Sequence, residues 1–132
     1  MRAGGENGKH IEELILGYPS NPQNLIDDPE NKTEIKSCQE WHKKFPSKLM
    51  PGIDRAAGRF KINVEQHQYL LEIDGYYLFV VQDKALGEII KKAKIRAREV
   101  EENFKFLDKK VTKHHYFSVN WRSVFLLAPH TS

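Results

Sequence analysis

Apolar residues recur at Ile11, Leu14 and Ile15, the spacing of one helical face, so Lys9 to Leu16 is predicted as an amphipathic helix. Gly17 and Pro19 end it, and Glu12 and Glu13 ride on it. Asn24 to Asp27 is a short extended run. Asp28-Pro29-Glu30-Asn31 has turn chemistry, and Lys32 to Cys38 alternates polar with compact residues, so these segments together predict a hairpin. Gln39 to Gly58, broken by Pro46, Pro51 and Gly52, reads as irregular chain carrying Trp41 and Arg55, and a loop of this length in a small domain is often functional.

Arg59 to Ile62 has the pattern of a strand, and Asn63 is placed to cap a helix over Val64 to Leu71 whose Leu70 and Leu71 face the core. Asp74-Gly75 turns the chain. Tyr76 to Val81 is an unbroken aromatic and aliphatic run, the mark of a central strand buried on both faces. Leu86 to Ile95 is read as a strand, although its basic stretch is also compatible with a helix continuing through Phe104. Ala97 to Phe106 is helical. From His114 to Leu127, Tyr116, Ser118 and Asn120 alternate with Phe117, Val119 and Trp121, a last strand leading into apolar Val124 to Leu127. Helices interleaved with strands describe an α/β fold, a mixed β-sheet flanked by helices. A single domain over residues 9–132 is expected, with residues 1–8 as a flexible lead-in that lacks the apolar core of a secretory signal.

Composition narrows the function classes. Of 132 residues, 39% are hydrophobic and 30% charged, which suits a globular chain rather than a disordered one. The lone Cys38 has no intramolecular disulfide partner, and no apolar run approaches the ~18 residues of a membrane span, so a reducing, cytoplasmic setting without a membrane partner is expected. A net charge of +3 permits a polyanionic partner without requiring one. Cations cluster at Lys91, Lys92, Lys94, Arg96 and Arg98, and again at Lys109, Lys110 and Lys113. Acidic residues gather in Asp27 to Glu34 and Glu99 to Glu102. A solvated charged face explains such runs equally well, but an acidic focus in a basic chain is also what a metal-using enzyme of nucleic acids would show.

The acidic focus carries the chemistry. Glu34 and Lys36 stand two apart on a predicted strand, so both side chains leave the same face. The other arm of the hairpin offers Asn24, Asp27 and Asp28, and an antiparallel neighbour on that face lies about 5 Å from Glu34. If Asp27 pairs with Lys32, Asp27 shares a face with Glu34; a turn one residue shorter or longer makes Asn24 face Glu34 instead. Two such oxygens suit Mg²⁺, which takes one or two carboxylates and keeps several waters. Such an ion acidifies bound water and stabilises charge on a phosphoryl transition state, and Lys36 beside it would favour hydroxide and bind the phosphate.

An Asp or Asn, a short gap, then Glu34-Ile35-Lys36 after a turn resembles the PD-(D/E)XK nuclease superfamily. The resemblance runs over about Lys9 to Gln82: an N-terminal helix bearing Glu12 or Glu13, the ExK strand, then a strand, a helix and a buried strand between Arg59 and Val81. It implies a restriction-endonuclease-like fold and a Mg²⁺-dependent DNA endonuclease, with Mn²⁺ as substitute. Glu34, Asp27 or Asn24, the Ile35 carbonyl and Glu13 would serve as metal ligands, and Lys36 as a catalytic group. A restriction-type enzyme is the preferred branch, a Holliday junction resolvase the second, and a non-catalytic DNA-binding module on the same fold the third. A homodimer is expected, since two symmetric sites most simply cut both strands of a duplex. The departure from the pattern lies in the acidic residue of the first strand, which the resemblance places roughly ten or more residues before the Glu: ten residues before Glu34 stands Asn24. A nuclease-deficient form, with Asn24 in an aspartate's place, is therefore also carried.

Other constellations weigh less. His10, His42, His67 and the His114-His115 pair fit no structural zinc spacing, and Cys38 is more simply a small buried residue than a nucleophile. Arg55, Arg59 and Lys61 are candidates for DNA phosphates, and Gln39 and His42 for the rim of the site. Trp121 and Phe125 read as core anchors, with Arg122 between them pointing outward.

Overall fold

A computed structural model describes residues 15–16, 25–43, 55–83, 87–108 and 115–127. Its centre is a three-stranded mixed sheet in the order β1 (Thr33–Gln39), β5 (Tyr76–Gln82), β6 (Ile89–Arg96). β1 runs parallel to β5, from Thr33 opposite Tyr76 to Gln39 opposite Gln82, and β6 is antiparallel to β5. The apolar run at 76–81 thus occupies the middle strand, where burial on both faces favours such a sequence. β2 (Trp41–Lys43) pairs with β3 (Arg55–Ala57), and β4 (Arg59–Asn63) with β7 (Tyr116–Asn120), both antiparallel.

Among the described residues, two helices and a short third flank the strands, giving an α/β architecture. In α1 (Val64–Glu72) the Asn63 side chain accepts from the Gln66 N–H, the expected cap, and Leu70 is fully buried. α2 (Ala97–Phe104) stops earlier than the sequence pattern suggests. Lys105 adopts a left-handed conformation, its N–H bonds to the Glu101 carbonyl, and a 3₁₀ turn over Phe106–Asp108 then buries Phe106. α3 (Trp121–Phe125) replaces the second half of the expected last strand: the Asn120 side chain caps it by accepting from the Arg122 N–H.

Three further expectations are corrected. Among the described residues, the hairpin before β1 is one antiparallel bridge, Asp28 with Thr33, and residues 25–27 form a bend rather than a strand; Asn24 lies outside them. The stretch from Gln39 to Gly58 is not wholly irregular, because β2 and β3 pair within it; residues 44–54 lie outside the described residues. The strand expected from Leu86 starts at Ile89, and residues 84–86 lie outside the described set. The predicted helix over 9–16 also lies outside it apart from helical Ile15 and Leu16, so Glu12 and Glu13 are not described.

The core is strongly aromatic. Tyr77 and Phe79 stack along β5, Phe79 meets Phe60 of β4 at 4.8 Å, and Phe106 stacks on Phe117 of β7 at 4.8 Å. Trp121 is buried as expected and meets half-buried Phe125 edge-on. Exposed Arg122 lies over the Trp41 ring at 4.6 Å, which ties α3 to β2. Gly58 sits where the chain enters β4. Its N–H donates to the Glu40 carbonyl and its carbonyl accepts from the Trp121 N–H, so close to β1 that a Cβ would fall 1.8 Å from the Gln39 oxygen. Only glycine fits there.

Strand alternation assigns the faces of the central sheet. Glu34, Lys36, Tyr77, Phe79, Ala93 and Ile95 share the face covered by the main core. Ile35, Leu78 and Val80 share the other with Lys92, Lys94 and Arg96, and Ile15 and Leu16 pack there against Ile35 and Val80.

Candidate active site

The site is assembled at the start of β1 by the bend that precedes it. Asp28 and Thr33 exchange both backbone hydrogen bonds, at 2.9 and 3.0 Å, around a turn in which Lys32 takes positive φ. Counting outward from that bridge sets Asp27 directly across from Glu34. This register has the parity that puts Asp27, rather than its neighbours, on the face of Glu34.

Two bonds clasp the arms together. The Asp27 N–H donates to Glu34 Oε1 at 3.0 Å, and the Ile35 N–H donates to Asp27 Oδ2 at 2.9 Å. Backbone direction follows the same alternation. The Lys32 carbonyl accepts from Tyr76 on β5, whereas both polar groups of Thr33 turn to Asp28. Ile35, two residues on, therefore aims its carbonyl toward the Asp27 edge and away from β5. Two carboxylates and one carbonyl thus converge on the same edge of β1.

Lys36 closes the group. Its Nζ lies 3.1 Å from Glu34 Oε2 and donates to Gln66 Oε1 at 3.0 Å, with its side chain 15% exposed and that of Glu34 only 5%. Gln66 was not anticipated from the sequence. It stands in the first turn of α1, where its backbone N–H takes the Asn63 cap and its side-chain amide donates to the Leu25 carbonyl at 2.9 Å. One side chain therefore joins the lysine to the bend carrying Asp27. The visible signal was only the capping pattern that located the start of the helix.

Burial raises Glu34 from the usual 4.5 to about 7; Lys36 opposes the rise, and the neighbouring Asp27 charge adds to it. A hard divalent cation fits this donor set: oxygen-only ligands, like charges held side by side, and a cost of ionisation that a positive ion would offset. The set is lean, since among the described residues no group of three or more His, Cys, Asp or Glu is placed to hold a metal. Mg²⁺ tolerates such a site because waters fill its remaining positions.

The other candidate residues scatter. Asn24 and Glu13 lie outside the described residues, and the side chains of His42 and Arg55 are not described. Arg59 and Lys61 are exposed on β4, but the Arg59 guanidinium is engaged by β7, donating to the Ser118 Oγ and carbonyl at 2.7 and 3.0 Å. Gln39 falls, by alternation, on the sheet face opposite Glu34 and Lys36. Half-buried Cys38 has its thiol pushed up to about 12 by burial, which removes thiolate chemistry near neutral pH.

Behind the carboxylates lies a buried polar chain that sequence reading also missed. His67 Nδ1 lies 2.7 Å from the Tyr77 hydroxyl and Nε2 lies 2.9 Å from Glu101 Oε1. Burial lowers the His67 pKa and raises that of Tyr77, so both stay neutral and the chain ties α1, β5 and α2 together.

Among the described residues no helix is long and apolar enough to cross a membrane. No curated protein and no solved structure matches the chain. A family model described as PD-(D/E)XK nuclease superfamily domain matches residues 18–126, most of the chain and all of the constellation above. With the mixed sheet flanked by helices and the Glu34-Ile35-Lys36 strand at its edge, this chain belongs to the PD-(D/E)XK nuclease superfamily.

Proposed function

We propose that this nuclease is a Mg²⁺-dependent DNA endonuclease. The observation that carries the reading is the clasp of Asp27 and Glu34 beside Lys36, a pair of carboxylates and an ammonium on one edge of one strand. Asp27, Glu34 and the Ile35 carbonyl would hold the ion, which when bound supplies acidified water and offsets charge on the scissile phosphate. Lys36 does the rest of the electrostatic work. Two of its three N–H donors are committed to Glu34 and Gln66, which fixes the ammonium and leaves the third for a phosphate oxygen or the attacking water. Gln66 positions Lys36 against the bend.

A restriction-type enzyme acting as a cytoplasmic homodimer is the preferred form of this reading, with cleavage of both duplex strands by symmetric sites. A junction resolvase would use the same constellation on a branched substrate. The deciding experiment incubates the chain with plasmid and with four-way-junction DNA in Mg²⁺ or Mn²⁺, beside Lys36→Ala. Cleavage that falls by about a hundredfold or more in Lys36→Ala supports the reading, and the better-cut DNA selects the branch. Equal cleavage by the two proteins removes Lys36 from the chemistry.

A further inference from the structure

β6 is one of the two edge strands of the described central sheet, and three of its four cations lie on one face, with Lys91 exposed on the other. Lys92, Lys94 and Arg96 are exposed on one face, while Ala93 and Ile95 between them are buried on the other. Their cross-strand partners on β5 are Val80, Leu78 and Tyr76, none of them acidic. Cations arrayed along one strand face without neighbouring carboxylates attract a polyanion. Here the Tyr76 ring lies under the ladder instead, with Lys94 Nζ at 4.8 Å and the Arg96 guanidinium at 5.6 Å from its centroid. Among the described residues, the acidic groups in reach are few. Asp74 lies 3.7 Å from Arg96 and binds Arg98 more closely at 3.1 Å. Asp28 and Glu30 share with Lys94 the wall of a cavity of about 300 Å³, and the Asp28 carboxylate is already taken up by Asn31.

The ladder rises by two residues per step and spans roughly 14 Å, a length over which one strand of a duplex passes about four phosphates. It also lies on the sheet face opposite Glu34 and Lys36. A duplex segment held at the carboxylates is separated from the ladder by the sheet itself. We propose that Lys92, Lys94 and Arg96 form a second nucleic-acid contact, on the back of the catalytic sheet, that holds the phosphate backbone of a DNA segment other than the one being cut. The proposal rests on the reading of DNA as substrate.

The test measures binding of a long duplex by the full chain, without divalent metal, across a range of salt concentrations. The unaltered protein is compared with a Lys92→Gln/Lys94→Gln/Arg96→Gln variant and with Lys92→Arg/Lys94→Arg. Loss of three phosphate contacts lowers the slope of log affinity against log salt by about 2.7, which is a loss of about 2.7 orders of magnitude, roughly 500-fold, at 0.1 M salt relative to 1 M. The arginine variant keeps both slope and affinity. An unchanged slope in the glutamine variant overturns the proposal. If that variant instead aggregates with DNA affinity intact, the lysines merely guard a sheet edge; if it loses only binding to anionic lipid vesicles, the ladder serves a membrane surface. Both results overturn the proposal. Cleavage that depends on Lys36 is scored separately, so failure of the ladder and failure of the nuclease reading are told apart.

Discussion

Glu34 is a carboxyl that the metal-free fold holds at a cost, and that cost is open to measurement. Its side chain is 5% exposed, so solvent screens it little, and burial raises it from 4.5 to about 7. At 1.36 kcal/mol per pH unit this amounts to roughly 3 kcal/mol. The sign follows from the direction of the shift. The folded chain binds the proton more tightly than the unfolded chain, so this contribution is complete below pH 4.5 and is lost as pH rises through about 7. Urea unfolding in the presence of a chelator, at about pH 5 and about pH 8, compared with Glu34→Gln, isolates the effect from the other titrating groups, whose contributions cancel in the difference. The unaltered chain should lose roughly 2.5 kcal/mol relative to Glu34→Gln across that range, the first part of the ~3 kcal/mol having gone by pH 5. Saturating Mg²⁺ should recover much of the loss at the upper pH. Calorimetry of Mg²⁺ binding in buffers of different ionisation enthalpy should find close to one proton released near pH 6 and almost none above pH 8. A pH-independent difference between the two proteins, with no proton release on metal binding, would refute the account of Glu34 as the buried ligand.

Three other substitutions probe the same architecture. Gln66→Ala frees the Lys36 ammonium and the Leu25 carbonyl together, and single-turnover cleavage should slow by about ten- to a hundredfold while DNA affinity changes little; unchanged cleavage would remove Gln66 as a positioning residue. Asn24→Asp should raise cleavage sharply if position 24 supplies the missing acidic ligand, and should leave it unchanged if Asp27 already does so; the plasmid assay decides. Gly58→Ala forces a methyl group onto the Gln39 carbonyl and should cost about 3 kcal/mol or more in urea unfolding, whereas an effect under ~1 kcal/mol would mean that the junction of β1 and β4 yields easily.

What could be read from the chain beforehand depended on how local the signal was. The middle strand was visible because 76–81 is apolar without interruption, and α1 because Asn63 offers a cap where the helical period begins. The Glu34 and Lys36 pair needed only strand parity. The second half of the tail was misread because Phe117, Val119 and Trp121 keep an alternation that a strand and a capped helical turn can share; Asn120, used as Asn63 is, was the overlooked sign. β2 and β3 are three residues each and pair across a proline-containing stretch, so neither carries a periodicity long enough to see. Gln66, His67 and Glu101 were invisible for a different reason. Each gains its role from side chains many positions away in sequence, at separations of 30 for Gln66 with Lys36 and 34 for His67 with Glu101.

The bridge between Asp28 and Thr33 acts as a ruler for the whole proposed catalytic edge. The four residues it encloses, 29–32, decide which side chain meets Glu34, and the two directions of error are unequal. Removing one of them would slide the preceding arm so that Ile26, now 3% exposed in the core, met the carboxylate, while Asp27 left it: the proposed ligand and a core anchor would be lost together. Adding one would bring Asp28 opposite Glu34, and the substitute would again be an aspartate. Two adjacent acids at the mouth of a turn thus make this loop tolerant to lengthening and brittle to shortening, an asymmetry that would limit which loop-length variants of this nuclease keep their activity.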